Sequence, residues 1–167
     1  VFNDYGKMGV WVTKDGGQNA YLFTMHEFSG SFQGTSFALV ERDRMLAGQS
    51  AQFVRVGGID AYGALPMHLE GSNPLPAGAC PMFVHFQSSG LGYRLWDMCV
   101  NWANGTTSFV NTPTLLASTP FALGLAGVPQ LNSTTRLDDF GGNTMYLAAI
   151  RAFGNNGPVE AKAVINH

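Results

Sequence analysis

Only eleven Asp and Glu residues occur in the chain, and six of them, Asp4, Glu27, Glu70, Asp97, Asp138 and Asp139, fall near the ends of alternating apolar runs. Carboxylates so placed raise the question of glycoside hydrolysis or polysaccharide lysis. Glycoside hydrolysis needs two carboxyl groups about 5 Å or about 6.5–9.5 Å apart, one of them holding its proton near neutral pH. The sequence assigns no catalytic residue, but Asp4 and Glu70 are the candidates for such a pair. Asp4 precedes Tyr5 and a strand whose first residues would open toward a channel, although Asp beside a tight turn is also an ordinary turn former. His68 and Glu70 stand two apart, on one face of a strand, and could share an ion or a sugar hydroxyl, although solvent-facing polar alternation is the preferred explanation. Tyr5, Trp11, Tyr21, Trp96 and Trp102 offer aromatic faces of the kind that stack on the apolar faces of sugar rings. Tyr5, Trp11 and Trp102, with His68, are the ligand-binding candidates, and the competing role for each aromatic is core packing.

Two charged residues sit inside apolar strands. Asp97 shares a face with Leu95 and Cys99, where burial would raise its pKa unless Arg94 or a backbone N–H compensates. Arg151 is expected to pair structurally with Asp138 or Asp139. The histidines, His26, His68, His85 and His167, show no H-x-x-x-H spacing and the cysteines no C-x-x-C, so no metal site is expected. No P-loop, dinucleotide fingerprint or G-x-S-x-G elbow occurs, which sets aside nucleotide enzymes and α/β-hydrolases and leaves no cofactor implied. Asn104-Gly105-Thr106 and Asn132-Ser133-Thr134 match the glycosylation acceptor pattern, which arises often by chance.

The elements that must position these residues are strands. Charged residues make up 12% of the chain, about half the usual share, while 21 glycines and 8 prolines punctuate short apolar runs. A hairpin is signalled by GVWVT (9–13) and AYLFTMHEF (20–28) around Lys14-Asp15-Gly16-Gly17. Tyr21, Phe23 and Met25 alternate with Leu22, Thr24 and His26, and two largely apolar faces imply a strand sandwiched between layers. SFALVE (36–41) leads into one helical turn stopped by Gly48. Further strands are expected at 51–56, 64–71, 81–86, 93–102, 107–110, 143–153 and 159–165. The alanines of MYLAAIRAF invite a helix, but it lacks an i, i+4 stripe and runs into a Gly154-Asn155-Asn156-Gly157 turn, so it reads as a strand. If 81–86 and 93–102 form a hairpin, Cys80 and Cys99 fall nearly opposite one another, and a disulfide is the expected state, with a pair of small buried thiols as the alternative.

In order along nearly all of the chain, NDYGKMGVW, FALVERDRMLAG, LPMHLEGSNPLPAGACPMFV, LWDMCVNWAN and LDDFGGNTMYLAAIRAFGN resemble a group of secreted bacterial β-propeller-like repeat proteins without a settled activity. The group's usual motifs look like Asp-Tyr-Pro-Lys-x-Gly-Val-Trp and Leu-Asp-x-Leu-Gly-x-x-x-Met-Tyr. Gly6 stands where that pattern has proline, and His68-Leu69-Glu70 where it has Asp-Leu-Asp. The spacing of the strands implies an all-β fold and the resemblance a propeller-like one; at four strands to a blade, about a dozen strand candidates make a partial propeller of about three antiparallel blades, with a β-sandwich as the alternative. A closed propeller needs about four to eight blades. Residues 1–167 are therefore expected to be part of one larger propeller domain cut at both ends, with the remaining blades as partners, and the final strand an unpaired edge.

The formal charge of −2 and the lack of any Lys/Arg cluster argue against nucleic acid, and no apolar run reaches the roughly 20 residues of a membrane span. Three functions are carried forward. The first is a secreted recognition or adhesion module for carbohydrate or a cell-surface polymer, the second a glycoside hydrolase or polysaccharide lyase using Asp4 and Glu70, and the third a structural repeat scaffold.

Overall fold

The structure is a computed structural model that describes residues 1–69, 74–87, 92–117, 134–138, 144–154 and 157–166; for residues 5, 86, 87, 92, 117 and those from 134 onward it describes the backbone alone. Among them are twelve strands and one five-residue helix, an all-β fold. The first sheet is a meander, β1 (Phe2–Trp11), β2 (Ala20–Phe28), β3 (Phe32–Glu41) and β4 (Phe53–Ile59), each strand antiparallel to the last. Its first hairpin turns where Gly16 takes a φ of 72°, and the Asp15 carboxylate accepts the Gly17 N–H at 3.2 Å. Between β3 and β4 lies α1 (Arg42–Leu46), ended at Gly48, whose φ is 67°.

The second sheet runs β12 (Gly157–Asn166), β11 (Thr144–Gly154), β10 (Thr134–Asp138), β5 (Leu65–Leu69), β6 (Met82–Gln87), β7 (Gly92–Asn101) and β8 (Thr106–Phe109), and β9 (Thr114–Ala117) also pairs with β7. All its pairs are antiparallel except β5 with β10. The alanine-rich segment is strand β11. Strands of four and eight form two sheets, rather than the three four-stranded blades the strand count suggested.

The two sheets pack face to face, in the manner of a β-sandwich. Phe37 of β3 stacks on Phe83 of β6 with ring centroids 4.3 Å apart, and the Trp96 and Phe109 rings of the second sheet meet it edge-on at 5.5 and 6.1 Å. Trp11, Leu22, Leu39, Ile59, Met67 and Met98 complete the centre of this core. On β2 the core takes Leu22, Thr24 and His26, whereas Tyr21, Phe23 and Met25 are only half-buried. Where two apolar faces implied a strand sandwiched between layers, β2 buries the Leu22 face fully and the Tyr21 face only in part. Gly9 marks where β5 crosses β1, since a Cβ there would collide with the Met67 carbonyl. Beyond it, Lys14 N–H donates to Leu75 O and Leu75 N–H to Val12 O, each at 2.8 Å, fastening the β1–β2 turn to the connection between β5 and β6.

Candidate functional site

The structure distributes the sequence-predicted residues over separate places. Trp11 is a core residue, 2% exposed, and its indole N–H donates to Ala79 O at 2.8 Å, so it has no face to offer a ligand. His68 is half-buried where β5 meets β1, and its Nδ1 accepts the Val10 N–H at 3.1 Å. That bond fixes the ring as a structural acceptor between the sheets. Asp4 is exposed on β1, opposite His26 in register. Glu70 lies outside the described residues, as does the side chain of the ligand-binding candidate Tyr5. Trp102 is half-buried in the turn between β7 and β8, apart from Asp4.

The other carboxylates divide sharply. Glu27 is buried on β2, where it accepts hydrogen bonds from Ser36 Oγ, Arg55 Nη2 and the Gly58 N–H. The Ser36 hydroxyl and the Arg55 charge hold its carboxyl below the usual range. Glu27 is therefore a structural anion, tying β2 to β3 and β4. Asp97 is exposed, which corrects the expectation of burial beside Leu95. The backbone register sets Arg151 opposite Glu160 on β12, while Asp138 stands opposite Thr144 at the other end of β11. Asp139 lies outside the described residues.

Cys80 and Cys99 are joined in a disulfide with Cα atoms 4.6 Å apart. The β6–β7 register explains the meeting: Met82 lies opposite Asp97, and the Met98 N–H to Pro81 O bond at 2.8 Å carries the same register toward Cys80 and Cys99.

Three turns from both sheets come together at one end of the sandwich around an open groove of about 570 Å³, lined by Asp15, Asn19, Glu41, Asp43, Asn101 and Trp102. Side-chain amides hold these turns in place. Gln18 forms a two-way pair with the Val100 backbone, donating to its carbonyl and accepting from its N–H, both at 2.9 Å. Gln52 donates to the Trp102 carbonyl, and its own N–H reaches Glu41 Oε2 at 3.1 Å. Asn19 accepts the Thr13 N–H and donates to Asp43 Oδ2, both at 2.8 Å, so it aims the Asp43 carboxylate. Arg44 lies 3.4 Å from Glu41 and Arg42 3.3 Å from Asp43, and Trp102, which also lines the groove, packs partly against the core. Hydrogen bonding from Thr13, and then from the Gly17 N–H, lowers the Asp15 pKa and keeps that group anionic.

This groove was missed in the sequence except for Trp102. Asp15 looked like turn chemistry, and nothing local shows that Asn19 and Asp43 will meet across 24 positions. Among the described residues no group of three His, Cys, Asp or Glu is placed to hold a metal ion, and no helix is long and apolar enough to cross a membrane. Comparison of the chain with protein-family models, with curated proteins and with solved structures finds no match. Fold and site thus define a two-sheet β-protein with an acid, amide and indole groove at one end.

Proposed function

We propose that this protein is an extracellular recognition module that binds a carbohydrate or carbohydrate-bearing surface polymer in the groove at the Trp102 end. The observation that carries this reading is the lining: carboxylate and amide residues Asp15, Asn19, Asp43 and Asn101 together with Trp102. Sugars present hydroxyls that pair with such acceptors and donors, together with C–H faces that stack on aromatic rings. The amide clamps through Gln18, Asn19 and Gln52 pre-organise the lining, which reduces the ordering cost of binding. Export is supported by the Cys80–Cys99 disulfide, a bond that persists in oxidising compartments. The resemblance to secreted bacterial propeller-like proteins points the same way. A propeller would require the β1–β4 meander to recur as further blades, so the two-sheet sandwich is our working architecture.

A hydrolase or lyase acting through Asp4 and Glu70 draws less support. Asp4 is exposed on β1 and is not among the residues that line the groove, and Glu70 lies outside the described residues. Affinity electrophoresis through gels containing soluble polysaccharides tests the proposal. Retardation in one polymer, relieved about tenfold or more in apparent affinity by Trp102→Ala and by Asp43→Ala, is the expected result. Equal mobility in every polymer would overturn it and favour the scaffold, and release of reducing sugar would move the protein to the enzymes.

A further inference from the structure

At the end of β1 and β2 opposite the groove, residues 60–64 carry the chain from β4 in the first sheet to β5 in the second. One peptide unit in this crossing, between Tyr62 and Gly63, is gripped on both sides by histidine. The Gly63 N–H donates to Nε2 of His26, on β2, at 2.9 Å, and the Tyr62 carbonyl lies 2.9 Å from Nε2 of His85, on β6. The C=O and N–H of a trans peptide point in opposite directions, so one histidine from each sheet closes on the same planar group. Gly63 has a φ of 83°, a conformation that favours glycine.

The donors settle the state of both rings. His26 Nε2 accepts a proton from Gly63 and so carries none. Arg94 of β7 donates to His85 Nδ1 from Nε at 3.2 Å and Nη2 at 2.9 Å, and a guanidinium cannot accept. His85 Nδ1 is therefore bare, and its Nε2–H donates to Tyr62 O. Both rings are neutral. His26 is 5% exposed and stacked on Tyr62 at 4.3 Å, with Phe32 edge-on at 5.6 Å, whereas Tyr62 itself is 57% exposed. Thr35 Oγ1 anchors the base of the crossing by donating to Ala61 O at 2.8 Å.

We propose that His26 and His85 form an acid-released latch on the Tyr62–Gly63 peptide, and that a proton on His26 Nε2 opens it and frees Tyr62 from the aromatic cluster. Protonation sets an N–H of the ring against the Gly63 N–H, and two donors cannot share a bond. From β1, Asp4 favours the charged ring and Lys7 opposes it. At His85, Arg94 opposes a second charge and Asp60 favours it, while burial and Arg94 push its pKa down to about 4. A proton on His85 Nδ1 would expel Arg94 but leave Nε2–H on Tyr62, so His26 is the residue that opens the latch. Burial lowers the pKa of His26 as well, which keeps the latch shut near neutrality.

Amide hydrogen exchange of Gly63, followed by NMR from pH 7.5 to 4 and corrected for the intrinsic pH dependence, tests this. Its protection should fall by up to about tenfold per pH unit as His26 takes up its proton, more steeply than that of Ala38 in β3, which follows only the loss of global stability. In His26→Gln the side-chain carbonyl accepts the Gly63 N–H at any pH, and the excess fall should vanish. Unchanged Gly63 protection in the parent protein, or the same excess fall in a folded His26→Gln, would overturn the latch. Should that variant not fold, the His26 ring titration followed by its 13Cε1 shift decides: coincidence of its midpoint with Gly63 deprotection supports the latch, and separate midpoints overturn it.

Discussion

The two ends of the β1–β2 hairpin handle polar groups in opposite ways. At the turn end, Asp15 and Asp43 are exposed anions whose partners leave lone pairs facing a groove. At the other end, His26 is buried and neutral, packed between rings and committed to one backbone donor. The difference shows how one pair of strands can present a surface able to exchange water for ligand at one end and a closed, uncharged joint at the other. Burial separates them: charges stay at the surface, and groups that can be neutral go inside.

The largest change expected from a single substitution is one that undercuts both ends together. Phe37→Ala removes the ring that joins the sheets through Phe83, Trp96 and Phe109, and should lower stability by about 3–5 kcal/mol in urea unfolding. Next is the Cys80→Ser, Cys99→Ser pair, which opens a link of sequence separation 19 and should cost about 2–4 kcal/mol by the same assay. It should also slacken the Ala79 contact of Trp11, seen as altered tryptophan emission. Glu27→Gln leaves Arg55 without its anion and should cost about 1–3 kcal/mol at pH 7. The smallest effect on stability is expected from Asp43→Asn, below about 1 kcal/mol, because its side chain is 55% exposed. A large loss from Asp43→Asn alone would erase the contrast between the two ends.

Acid should separate them further. His85, lowered from 6.5 to about 4, is neutral in the native protein while the unfolded chain takes up its proton first. Stability is therefore lost as pH falls from about 6.5 toward about 4, and the loss levels off below that. Glu27 contributes stability that is present above its ordinary value of 4.5 and lost as pH falls through its lowered native value. Urea midpoints against pH should show both limbs. His85→Gln should flatten the upper limb and Glu27→Gln the lower.

Much of the fold was legible because its signals are local. Alternation, Asp15-Gly16-Gly17 and the Gly48 stop correspond to β1, β2 and α1, and the missing i, i+4 stripe in MYLAAIRAF corresponds to β11. The grouping of strands was not, since the parallel β5–β10 pair depends on contacts between distant segments. Trp11 misled because an indole suits a core or a sugar equally, and only the Ala79 carbonyl decides. Asp97 misled because β7 changes partner on one edge, from β9 at Leu95 to β8 at Met98, and Asp97 falls in that gap, exposed. The groove was hidden for the same reason as the sheet order: Asn19 and Asp43 become one site only after β3 has brought α1 back beside the first turn.

The most direct test of the central claim is an amide chemical-shift titration of the protein with a polysaccharide that retards it in gels. The account predicts shifts centred on Gly16, Asn19, Asp43 and Trp102, with Tyr62 and Gly63 unmoved. Shifts centred on Asp4 and Tyr62, with the groove silent, would contradict it.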